Sequence, residues 1–121
     1  MKNFKYIFLI ICALSFFGCK KNQLGGKSNI KGKVAHHGVA IPYAKVYIKF
    51  NATEFPGTDV SVYDTNIDAD HNGNILIEHI YHGQYYFYAV GLDGVIPVKG
   101  GVALKVKMLK EITGFEVPVT E

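Results

Sequence analysis

From residue 30 onward, apolar and polar residues alternate with a period of two, in short runs separated by glycine, proline, asparagine and aspartate. That pattern predicts half-buried strands, one face against a core and the other in water. The run 44–50 is the clearest: Ala44, Val46, Ile48 and Phe50 face one way, and Lys45, Tyr47 and Lys49 the other. Residues 30–34 predict an opening strand, and 60–67 a further strand with Val60 and Val62 on one face. Residues 75–80 and 84–90 follow; in the latter Tyr85, Phe87 and Ala89 point inward and Tyr86, Tyr88 and Val90 outward. A strand at 95–98 and a break at Gly100-Gly101 come next. Val102, Leu104, Val106 and Met108 then alternate with Lys105 and Lys107, and Phe115, Val117 and Val119 close the pattern. Turns are expected at 36–42, 51–58, 68–74 and 81–83, where Asn, Asp, Gly and Pro supply the required backbone angles. No segment carries a helical period. The expected fold is all-β: one antiparallel β-sandwich of about seven strands over residues 30–121.

The first 29 residues obey other rules. Lys2 and Lys5 precede an apolar run over 6–17, then Gly18 and Cys19. The run is shorter than the roughly twenty residues needed to cross a bilayer, which argues against an uncleaved anchor. An ordinary secretory leader shares the charged and apolar regions. The sequence around Cys19 resembles a bacterial lipoprotein signal, with Phe16 where a small residue is usual. The resemblance implies removal of residues 1–18, a diacylglycerol on the Cys19 sulfur, and palmitate-type acylation. Each buried methylene contributes about 0.8 kcal/mol, so two or three chains hold a small domain at a membrane. Residues 19–29 would then be the lipidated cysteine and a flexible tether, polar and glycine-bearing.

About one hundred residues remain, enough for a single domain. Cys12 lies in the leader, so the domain offers no thiol pair and relies on packing. Beyond residue 18 there are eleven lysines against ten acids, close to neutral. All cations are lysine; without arginine the bidentate fork used for phosphate and base edges is missing, so no nucleic-acid partner is expected.

Several short motifs between 30 and 91 occur in a fixed order. They are Ile30-x-Gly32, Pro42-x-Ala44-x-Val46, Asp70-x-x-Gly73 followed by Ile75, Ile77 and Ile80, and Gly83-x-Tyr85-x-x-x-Ala89. This series resembles the carboxypeptidase regulatory-domain-like family, which has the prealbumin (transthyretin-like) sandwich fold. In that family the motif residues are structural, so the resemblance implies a fold and no catalytic group. Prealbumin-fold hydrolases of hydroxyisourate end in a tyrosine-arginine-glycine-serine motif; here the sequence closes on Pro118-Val119-Thr120-Glu121 and has no arginine, so that activity is not expected.

Asp68-x-Asp70-x-Asn72-Gly73 looks like the start of a calcium loop, but position twelve is His79 rather than glutamate, and a hairpin turn accounts for the same residues. His36, His37, His71, His79 and His82 could ligate a transition metal only if folding gathers them, since adjacent histidines such as 36 and 37 point apart. For nucleophilic catalysis the chain beyond the leader offers only the serines Ser28 and Ser61, without a Gly-x-Ser-x-Gly elbow. Asn51-Ala52-Thr53 matches a glycosylation sequon but reads as a loop in a bacterial chain. Tyr47, Tyr86 and Tyr88, placed on an outer face by alternation, are the candidate interaction patch, for a protein more than a sugar, since there is no tryptophan. The opposing reading is that tyrosines commonly cover their neighbours on a wet sheet face.

These readings converge on a non-catalytic, lipid-anchored protein of the bacterial cell envelope with no cofactor. It would be held by its N-terminal lipid, at the outer membrane on either face, and would meet an envelope protein partner. The alternatives are a metal- or small-ligand-binding lipoprotein and a lipoprotein subunit of a secretion or uptake assembly.

Overall fold

The computed structural model describes residues 21–108 and 111–121. The expected leader and Cys19 lie outside the described residues. Among the described residues eight strands form: β1 (Leu24–His36), β2 (Val39–Ala40), β3 (Lys45–Phe50), β4 (Thr65–Asp68), β5 (Asn74–Ile80), β6 (Gly83–Asp93), β7 (Ile96–Val106) and β8 (Glu111–Pro118). They build two four-stranded sheets. In one, β1 pairs with β2 and β5 along one edge and β8 along the other; in the second the order is β4-β3-β6-β7. The all-β sandwich expected from the alternation is what forms.

The core lies where the inward positions of the two sheets meet. Val46, Ile48, Tyr85, Phe87 and Ala89 are fully buried, as are Ile30, Val34 and Val117 opposite them. Phe87 meets Phe115 across the sandwich, edge to face, at 5.0 Å. The period of two breaks once in β5: Ile75 and Ile77 are buried, and so is Ile80, because His79 takes a positive φ of 61° and turns the strand over by one residue.

Four expectations change. The segment 24–29, read as tether, is the first half of β1: Leu24 and Ser28 both register against Ile80 across a bulge, and Ser28 is buried, donating to the Lys107 carbonyl. Polar composition did not prevent pairing because the edge of β5 offers backbone partners. Gly100-Gly101 does not break β7, which runs through both glycines; Gly100 sits where the backbone at 118–119 passes, and a Cβ there would collide with it. Residues 60–62 form a single 3₁₀ turn, not a strand, with Val60 and Val62 exposed, because Asp59 accepts the Ser61 amide and draws the backbone into a turn. Finally, one pairing is parallel: β8 runs alongside β1 in the same direction.

That parallel pair follows from the path of the chain. β1 runs from an end marked by the β5–β6 turn to the opposite end, where the β1–β2, β4–β5 and β6–β7 turns gather. β7 returns to the first end, where Val106 pairs with Gly83, so β8 must set out from there as β1 does. Gly32 makes room: β8 bulges between Ile112 and Phe115, and the Phe115 carbonyl lies so close to Gly32 that no side chain fits. The glycine of the Ile30-x-Gly32 motif is therefore a contact between strands.

Candidate functional site

The three tyrosines of the expected patch lie on the outer face of the β4-β3-β6-β7 sheet, but that face is not open. Residues 51–64 leave β3, fold back across it, and lay Phe55 and Tyr63 on the sheet. Tyr63 stacks on Tyr88 at 5.7 Å and leans on Tyr47 at 5.8 Å. Phe55 meets Tyr88 at 5.4 Å and Tyr86 at 5.9 Å. Tyr88 is only 4% exposed and thus belongs to a second small core, contrary to its expected place at the surface. Tyr47 and Tyr86 are half-buried.

The loop is pinned at its base. Asp64 accepts the Phe50 amide at 2.6 Å and faces Lys49 at 3.4 Å, while the Tyr63 hydroxyl donates to the Gly57 carbonyl at 2.8 Å. Burial, with Tyr86 and Tyr88 alongside, pushes the Tyr63 phenol up to about 12. Tyr86 also lies over Gly101 of the neighbouring strand, where a Cβ would strike its ring, so the glycine seats the ring.

The Asp68 to Gly73 segment is a turn that uses its own polar atoms. Asp70 Oδ1 accepts the amides of Asn74 and Asn72, at 2.9 and 2.8 Å, and these bonds hold its carboxyl below the ordinary carboxylate value. Gly73 has φ 75° and sits tightly under Ala40 and Ile41. Asp68 faces Lys45 at 3.8 Å on the next strand. Among the described residues no group of three or more histidine, cysteine, aspartate or glutamate side chains could hold a metal ion. The histidines divide by position: His71 precedes β5, and His79 and His82 stand at its other end.

His36 behaves differently from the rest. It is buried at the end of β1, its Nδ1 lies 2.8 Å from Asp93 Oδ2, and, contrary to the expectation that adjacent histidines point apart, its ring packs on His37 with centroids 4.3 Å apart, because His37 takes a positive φ of 50° in the turn. Its Nε2 is buried and stands 4.0 Å from Glu121 Oε1, beyond hydrogen-bond reach. The imidazole thus clasps β1 to the β6–β7 hairpin. Ser28 bonds to the Lys107 carbonyl and Ser61 to Asp59, so neither serine is paired with a histidine.

Two features went unnoticed in the strand pattern. At the end of the sandwich where β6 meets β7, Tyr43, Leu92, Val95 and Ile96 are exposed, Val95 at 90%. The described chain begins at the opposite end, where the Asn22 amide donates to the His82 carbonyl and Asn22 Oδ1 accepts the Gln84 amide. Tyr85, whose hydroxyl reaches the Tyr81 carbonyl at 2.7 Å and the Gln23 carbonyl at 3.2 Å, locks the same segment. β6, eleven residues long, separates the two ends by roughly 33 Å.

The second feature is a groove of about 580 Å³ beside the β1–β5–β8 sheet, lined by Lys31 and Lys33 of β1, Asp68 at the end of β4, Asp70 of the β4–β5 connection, Leu76 of β5 and Phe115 of β8. Leu76 stands half exposed on the wet face opposite Lys31; this out-of-pattern apolar residue was the available signal.

No protein-family profile matches this chain, and no curated protein matches it. Its fold is similar to the crystal structure of a Pseudomonas aeruginosa protein proposed to bind carbohydrate. The TM-score is 0.52 and the sequence identity 16%, over 83% of this chain and 92% of that one.

Proposed function

We propose that this chain is a non-catalytic, lipid-anchored binding module of the bacterial cell envelope, acylated at Cys19. It presents the end of its sandwich farthest from the lipid to a protein partner. The observation that carries this reading is the polarity of the domain. The chain enters at the β5–β6 end, and the exposed apolar loops at Tyr43, Leu92, Val95 and Ile96 gather at the other. Apolar residues held about 30 Å from a membrane anchor are out of reach of that membrane and fit contact with another protein.

The motif series from Ile30 to Ala89 favours a carboxypeptidase regulatory-like domain, and the Pseudomonas neighbour supports the sandwich and, through its proposed role, binding over catalysis. The engagement of His36 by Asp93 points the same way, since it uses the buried imidazole to tie strands together.

Two measurements test the reading. Metabolic labelling with an alkyne fatty acid should mark the wild-type chain and not Cys19→Ser; an unlabelled wild type rejects the anchor. A photo-crosslinking residue at Val95 in living cells should give one discrete protein adduct that is absent when it stands at Glu78 on the far sheet. Equal, diffuse labelling from both positions rejects the distal contact.

A further inference from the structure

We infer that the free edge of β7 receives an extended segment of another protein as an added antiparallel strand, and that this segment alternates apolar residues with aspartate or glutamate. The contact lies on the flank of the sandwich and does not depend on the distal loops.

The backbone sets the site. β7 is the last strand of its sheet and pairs with β6 along its whole length without a bulge. Lys99 and Thr120 exchange two backbone hydrogen bonds, at 2.8 and 2.9 Å, so the N–H and C=O of Lys99 point away from β6. Every second residue shares that direction, which turns the amides and carbonyls of Gly101, Ala103 and Lys105 outward as well. Pro97 falls in the same series, at a position where the pairing with β6 needs no N–H. Thr120 covers only Lys99, because the residues before it run beside β1 in the other sheet. Among the described residues no strand pairs with the outer edge of β7 from Gly101 to Lys105. Sheets guard such an edge with charge, proline or a bulge, and Gly100-Gly101-Val102-Ala103-Leu104 has none of these.

The side chains select the occupant. Val98 and Val106 are buried, so Val102 and Leu104 also point toward the core, yet both stay partly open, as does Ile112 of β8. β6 covers one flank of Val102 and Leu104, so their opening is on the edge side. Apolar residues at alternate positions of an added strand would close it. The opposite face of β7 carries Lys99, Ala103 and Lys105, and Lys107 follows. β7 has no acid, and the lysines in ion pairs among the described residues are Lys31, Lys33, Lys45 and Lys49. Charge therefore separates a second copy from a different partner. Antiparallel pairing of β7 with another β7, centred on Ala103, would set Lys99 opposite Lys107; centred on Val102, it would set Lys99 opposite Lys105. Like charges in opposed positions destabilise a strand pair, whereas acids there stabilise it.

The test uses the full acylated chain in detergent and a capped peptide of about eight alternating glutamate and valine residues, long enough to span the edge. Amide hydrogen exchange followed by NMR should slow at Gly101, Ala103 and Lys105 on saturation, and stay unchanged at Val102 and Leu104, whose amides already bond to β6. Directly opposed residues share a face, so the peptide N–H groups that meet β7 belong to the glutamates. N-methylation of the glutamates should weaken binding at least about tenfold, and N-methylation of the valines should be tolerated. A lysine–valine peptide should also bind about tenfold more weakly. Ala103→Pro removes one outward N–H while leaving the β6 ladder intact, and should cost about as much; if that variant misfolds, the two N-methylated peptides decide the matter on the unaltered chain.

Four results overturn the inference: no saturable binding of the glutamate–valine peptide, equal binding of the lysine–valine peptide, equal loss from both N-methylated peptides, or a sedimenting dimer whose Gly101, Ala103 and Lys105 amides are already protected without peptide. Each leaves the Val95 crosslink untouched, so failure of the edge and failure of the distal contact are read separately.

Discussion

The outer faces of the two sheets have opposite fates. The β4-β3-β6-β7 sheet carries Tyr47, Tyr86 and Tyr88, and its own loop closes over them with Phe55 and Tyr63. The β1–β5–β8 sheet carries Lys31, Lys33, Asn74 and Leu76, and stays open. The face richest in apparent contact residues is spent on stability, and the plainer face keeps a groove. Aromatic rings on a wet face are therefore ambiguous until the fate of the nearest long loop is known. Each ring pair of that layer is worth about 0.5–1.5 kcal/mol beyond area burial, enough to order a fourteen-residue loop only if several act together.

The contrast can be broken most directly in the shared core. Phe87→Ala should destabilise the whole domain by about 3–5 kcal/mol in urea unfolding, because both sheets lose the same contact. Tyr88→Ala should cost about 2–4 kcal/mol and bring residues 51–64 under proteolytic attack, as befits a buried ring. A cost below about 0.5 kcal/mol would return Tyr88 to the surface role that its alternation suggested.

Alkali sharpens the same comparison. The Tyr63 and Tyr85 phenols are pushed up to about 12 by burial, whereas unfolding frees them to ionise near 10. Between those values the native state holds more protons than the unfolded state, so stability must fall as pH rises from 10 to 12 and be unaffected by these groups below 10. Thermal midpoints measured across that window should drop, and Tyr63→Phe should flatten part of the fall. A midpoint independent of pH up to 12 would mean that the loop does not cover the ring. The smallest effect belongs to the open face: Leu76→Ala should change stability by no more than about 0.5 kcal/mol.

Legibility differed along the chain for identifiable reasons. Lys45 to Phe50 and Tyr85 to Ala89 were readable because one face meets a continuous core, so a shift by one residue would turn the whole apolar set to water. The segment from Leu24 to Asn29 was not: its pairing comes from the backbone edge of β5, which leaves no mark in side-chain polarity. Val60 and Val62 misled because the side chain of Asp59 outweighed their preference for strand. Within the sites, the sequence pointed to Tyr47, Tyr86 and Tyr88 but not to their cover, and it missed the groove. Lys31, Asp68, Leu76 and Phe115 belong to four separate segments, and no spacing connects them.

Alternation by itself determined an all-strand sandwich and most of its core, though not the exposure of Val60, Val62 and Met108 or the burial of Tyr88, since period-two burial is a local property of each strand. The parallel partnership of β8 with β1, the closure of one outer face and the openness of the other were decided only in three dimensions. They depend on where the chain crosses between sheets and which edge is free when it arrives, and these are relations between segments far apart in the sequence.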